Sequence, residues 1–121
     1  MPLFNFQKQF AKVVESGEKR QTIRAKRKNR PKVGQTAYLY TGVRTKACRK
    51  LGEYPIENVQ SIMIGGKGIC FSFDELGEYC ESDPAMLDSI ACEDGFENWN
   101  AMCDWFDKTY GLPFEGDLIK W

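Results

Sequence analysis

The stretch SGEKRQTIRAKRK, Ser16 to Lys28, organises the chain around it. Its centre, Gln21-Thr22-Ile23-Arg24, predicts a short strand, because β-branched Thr22 and Ile23 suit a pleated surface. Gly17 ends whatever helix arrives from the N-terminus. Side chains of an extended segment alternate. Lys19, Gln21 and Ile23 then share one face and Arg20, Thr22 and Arg24 the other. A turn at Gly17 brings Lys19 round beside Thr22, placing an amine, a hydroxyl and a guanidinium on one short element. Two readings stay open: an edge strand whose cations deter aggregation, or a functional cluster whose charges would otherwise be costly to gather.

At 121 residues the chain forms one domain, 1–121, with a single substantial core. No apolar run approaches the roughly 20 residues that span a bilayer, and the N-terminus lacks a basic-then-apolar leader. A cytoplasmic location and no membrane partner are expected. The five cysteines (Cys48, Cys70, Cys80, Cys92, Cys103) are odd in number and show no C-x-x-C spacing. That argues against a zinc site and a disulfide framework, and predicts reduced, semi-buried thiols. No metal and no cofactor are implied. The absence of histidine leaves acid–base work to Lys, Glu, Asp, Tyr or Cys.

Net charge is zero but divided. Residues 1–50 carry fourteen basic and two acidic side chains, a net of +12, and residues 51–121 carry three and fifteen, a net of −12. Either the basic half meets a polyanion or the halves neutralise each other. Lys26, Arg27, Lys28, Arg30 and Lys32 crowd one loop too densely for all to find partners, which favours a polyanion.

Asn5 predicts a helix cap, with Phe6, Phe10, Val13 and Val14 on one face of a helix ending near Ser16. A strand is expected over Thr36–Tyr40. A basic segment follows, Val43 to Lys50, read as one helical turn converging on the first basic loop. Tyr54–Ile64 reads as one long strand bent at Asn58, and Gly65, Gly66 and Gly68 as a hairpin turn into Ile69–Phe73. Asp74–Ile90 is acidic and irregular, with a short helix over Pro84–Ser89 capped by Asp83. Gly95–Tyr110 predicts the best helix, with a Phe96, Trp99, Met102, Phe106, Tyr110 stripe and an Asp94/Glu97 capping box. Asp117–Trp121 is a closing strand.

The spacing G-x-K-x-x-T-x-R, at Gly17, Lys19, Thr22 and Arg24, resembles the signature of ASCH domains, a branch of the PUA-like proteins. LYTG at Leu39–Gly42, the acidic-Gly-Phe turn at Asp94–Phe96 and the closing PFEGDLIKW fit the same family. The resemblance implies an α+β fold: a PUA-like small β-barrel of about five or six strands with two principal helices. It implies RNA, nucleoside or nucleotide as ligand. Small bacterial acetylcytidine amidohydrolases of this type use a Lys as proton acceptor, a Thr as nucleophile and a Glu as proton donor. The first two match Lys19 and Thr22; at the third this chain has Asp94, beside Glu93. Aspartate is one methylene shorter, a departure that bears on catalysis. Cleavage of single-stranded RNA is the other activity in the family.

Each residue keeps a plainer reading. Lys19 is also a solvated edge lysine, Thr22 a good strand residue and Asp94 a helix cap. Arg24 pairs with Asp94 or Glu93, or binds a phosphate or base edge. Tyr40 is core, or stacks on a base. Arg20, Lys26, Arg27, Lys28, Arg30, Arg44 and Lys46 are a solvated face or phosphate contacts. Trp99, Phe96 and Phe106 are core. The favoured function is RNA or nucleotide binding in a Lys19/Thr22/Arg24/Asp94 cleft. The alternatives are hydrolysis of acetylated cytidine or RNA, and a protein-interaction domain.

Overall fold

A computed structural model describes residues 2–73 and 77–121. Among them the elements run β1 (Leu3–Phe6), α1 (Lys8–Glu15), β2 (Gln21–Ala25), β3 (Thr36–Thr41), β4 (Arg49–Pro55), β5 (Asn58–Gly65), β6 (Gly68–Phe73), β7 (Gly77–Glu81), α2 (Pro84–Glu93), α3 (Trp99–Thr109) and β8 (Phe114–Lys120). The fold is mixed α and β. Its strands form two sheets, β1-β3-β4 and β2-β8-β5-β6-β7.

The sheets do not close into the expected barrel, and α2, expected as a short helix beside two principal ones, runs ten residues. The sheets are joined where one long strand was predicted over Tyr54–Ile64. Pro55 cannot donate to a ladder. The next two amides then point to different partners: Ile56 N–H donates to Gln35 O at 2.8 Å and Glu57 N–H to Lys120 O at 2.9 Å. The chain thus leaves one sheet and enters the other across two residues. On the far side, β1 and β2 are each the edge of their own sheet and do not pair. Arg27, just past β2, spans the seam between these two edges, its Nη2 donating to Leu3 O at 2.9 Å.

Two cores follow from the alternation of β8. Leu118 faces Ile62, Ile64, Met102 and Phe106, under α2 and α3. Ile119 faces Phe4, Phe6, Leu39 and Ile56, under α1 and the small sheet.

Several local readings change. Asn5 does not cap a helix; it lies in β1, and its side-chain oxygen accepts from Val43 N–H at 3.1 Å. Phe4 and Phe6 are buried while Leu3 and Asn5 face out, a period of two too short to recognise over four residues. The second basic segment is not helical. Turns over residues 43–47 lead into β4, and Gly42–Val43 sits at the end of β1 near Asn5, whereas Arg27 binds Leu3 at its start. The two basic segments therefore flank opposite ends of β1 and do not converge. Asp83 caps α2 as expected, accepting from Met86 N–H at 3.2 Å. Asp94 does not begin the long helix: it is the C-cap of α2, and Asn98 caps α3, accepting from Ala101 N–H at 2.8 Å. Cys70 and Cys80 stand opposite each other on β6 and β7 and form a disulfide, against the expectation of five free thiols. A pair of adjacent-strand positions brings them together, which spacing alone does not reveal. Among the described residues no helix is long and apolar enough to cross a membrane.

Candidate functional site

Gly17, at φ +86°, ends the turn after α1, and Lys19 N–H donates back to Val13 O at 2.9 Å. That anchor aims the Lys19 side chain inward, where the residue is only 3% exposed. Its ammonium lies 3.2 Å from Asp94 Oδ1 and also donates to the Asp94 carbonyl. Gln21 Nε2 donates to the same Oδ1 at 3.3 Å. Asp94 is 4% exposed. Residues far apart in sequence thus meet in a buried ion pair with a third hydrogen-bonding group.

Arg24 and Thr22 line the same cavity as this pair, and Arg24 Nε donates to Thr22 Oγ1 at 2.8 Å. The guanidinium lies 4.7 Å from the centroid of the Phe6 ring, and the Lys19 ammonium lies 5.2 Å from that of Phe10. Arg27 stacks 4.5 Å over Phe4, and its Nη2 donates to Leu3 O at 2.9 Å. Three cations therefore run along a ladder of phenyl faces, each favoured by the ring quadrupole. Among the described residues that line the cavity with Lys19 and Arg24, Asp94 is the one carboxylate.

Of these groups Phe6, Phe10, Lys19, Thr22, Arg24 and Asp94 line this cavity of about 240 Å³ in the seam between β1 and β2. Lys19, Thr22, Ile23, Arg24 and Asp94 form one side. Phe6 and Phe10, with Phe96, Trp105 and Tyr110 from and before α3, form aromatic walls. Burial lowers the Lys19 amine from its ordinary value, opposed by Asp94 and assisted by Arg24. Burial likewise raises the Asp94 carboxyl, opposed by Lys19, Gln21 and Arg24. Arg24 is lowered to about 10, first by burial and then by Arg27. A buried pair pushed from both sides toward neutrality is suited to passing a proton.

Beyond Arg27 the basic loop opens into a second hollow, lined in part by Arg27, Lys28, Asn29, Arg30 and Lys32. Arg30 is tied down by Asp117, with Nη2 2.9 Å from Oδ1, and Lys26 Nζ donates to Ser61 Oγ at 3.3 Å. Lys28 and Lys32 are exposed.

Of the residues expected at the site, Lys19, Thr22, Arg24 and Asp94 come together. Glu93 is exposed at the end of α2, outside the cavity walls. Arg20, just ahead of β2, is exposed and outside the cavity walls, its Nε donating to Trp121 O at 3.1 Å. Tyr40 is half-buried in β3, and Arg44 and Lys46 are exposed in the loop before β4; none lines the cavity. Phe96, expected in the core, is half-buried and forms a wall. Gln21, Phe10, Trp105 and Tyr110 were not anticipated. Gln21 alone left a signal, an amide flanked by the lysine and the threonine. Comparison with known protein families, with curated proteins and with solved structures returns no match for this chain.

Proposed function

We propose that this chain is a PUA-like domain of the ASCH type, its barrel open at one seam, which binds a nucleoside or nucleotide, free or as part of RNA. The observation that carries the reading is the joining of a buried Lys19–Asp94–Gln21 cluster and an aromatic wall in one cavity of nucleoside size. Flat, apolar walls with a few convergent polar groups suit a heterocycle. The phosphate side is supplied by Arg24 and Arg27 and then by the exposed cations of the loop. The test is titration of 15N-labelled protein with uridine, cytidine, adenosine and their 5′-monophosphates. Shifts at Thr22, Arg24 and the Trp105 indole are expected, with monophosphates binding more tightly than nucleosides. No shift with any of the six at millimolar concentration overturns the reading.

A second reading is amide hydrolysis on an acylated nucleoside. It is favoured by the opposed displacement of Lys19 and Asp94 and by the Arg24 bond to Thr22 Oγ1. The Lys19 amine takes the Thr22 proton, Oγ1 adds to the acyl carbon, and the Asp94 carboxyl protonates the departing amine. Water then releases the acid. Incubation with N4-acetylcytidine decides it: no acetate released at stoichiometric protein leaves only binding.

A further inference from the structure

β2 hydrogen-bonds β8 on one side only. In an antiparallel pair, the N–H and C=O of alternate residues point to the partner strand and those between point away. Trp121 N–H donates to Arg20 O at 3.1 Å, so Arg20 faces β8. The register from Gln21–Lys120 to Ala25–Gly116 is unbroken, so Thr22 and Arg24 face β8 as well and Ile23 faces away. A second bond gives the same phase. Lys120 O accepts from Glu57 N–H and so points toward β5. Leu118, the residue opposite Ile23, points that way too.

Ile23 is nonetheless a wall of the cavity. Its side chain is 6% exposed and packs in the core beneath α2 and α3. Its main chain, turned from β8 toward the free edge of β2, presents one N–H and one C=O on the side of the seam. Among the described residues, no loop or side-chain group bonds either of them. A main-chain donor and acceptor held away from bulk water need partners. A ligand with adjacent acceptor and donor on one rigid edge would satisfy both. We infer that the cavity reads the Watson–Crick edge of a pyrimidine through the free main chain of Ile23, the ring lying between the aromatic walls. The inference rests on the nucleoside reading of the cavity. The volume of about 240 Å³ admits a pyrimidine nucleoside. In uridine, N3–H donates to the Ile23 carbonyl and an adjacent carbonyl oxygen accepts from its N–H. In cytidine, N3 and the 4-amino group take the reverse roles.

The experiment compares uridine, 5-methyluridine and 3-methyluridine by calorimetry and by 15N NMR. The last two carry the same added methyl, but only the 3-methyl blocks the edge. Uridine and 5-methyluridine should bind alike. 3-Methyluridine should bind about tenfold more weakly or worse, the cost of leaving a buried pair unmet. Uridine should move the Ile23 amide proton downfield and slow its exchange. Equal binding of all three, with Trp105 perturbed and Ile23 still, overturns the edge contact while the nucleoside site stands. Binding of none of them overturns both.

Discussion

Lys19 and Asp94 hold each other in a place where neither would be charged alone. Removing one partner of a buried pair strands the other, at a typical cost of about 3–5 kcal/mol. Asp94→Ala and Lys19→Met should each lower unfolding free energy in urea, by up to about that much, because either stranded partner escapes part of the cost by giving up its charge. The pair also shapes the pH profile. Lys19 is lowered below 10.5 in the folded protein, so between that lowered value and 10.5 the unfolded chain holds more protons and stability rises with pH. Asp94 is raised above 3.8, so between 3.8 and its raised value the folded chain holds more protons and stability falls as pH rises. Urea midpoints across both windows should show these opposite slopes, and Lys19→Met should abolish the alkaline one. At this scale the chain was readable where chemistry and spacing agreed, as with Lys19, Thr22 and Arg24. Asp94 meets the expected Lys19, but from the C-cap of α2 and not from the start of the long helix. Its burial depends on α2 ending at Asp94, and Gly95, which marks that end, reads equally well as the turn before the next helix.

Between α2 and α3 the left-handed turn matters more than either helix. Gly95 sits at φ +93°, and a Cβ there would meet Phe10 Cδ1 at 3.0 Å and Lys19 Cδ at 3.3 Å. Gly95→Ala adds a left-handed penalty of about 1–2 kcal/mol and presses on two cavity walls. It should weaken uridine binding as well as stability, with both read in one thermal-shift titration. Asn98→Ala should cost about 1 kcal/mol and leave binding intact, since Asn98 caps α3 without reaching the cavity. Elements with a strong period were legible, including α3 as an apolar stripe and β6 as the return of a hairpin. β1 was not, because four residues carry too little pattern. β4 was hidden because only Leu51 of its seven residues is buried. The aromatic stripe of α3 could not announce that Trp105 and Tyr110 border a cavity, since core and cavity walls share one composition.

Across the whole molecule the two charged halves do not cancel. Among the described residues only Lys19–Asp94 and Arg30–Asp117 join them over long range, and Lys28 and Lys32 remain exposed. Affinity for a short single-stranded RNA should therefore fall with salt. Lys28→Ala with Lys32→Ala should reduce the log–log slope by about 1.4, the share of two phosphate contacts. An unchanged slope would place the strand elsewhere. The charge split was plain in the sequence, but its geometry was not, because Asp117 and Asp94 reach the basic half only through the fold.

The cavity lies where two half-shells meet along an unsewn margin, opposite the two-residue crossover at Ile56–Glu57. Its aperture is thus set by how far the halves lean apart, as the jaws of a clasp depend on its pin. An occupant gripped by both margins fastens them together. Protection from exchange should then spread on binding into β3 and β8, strands that never touch the guest.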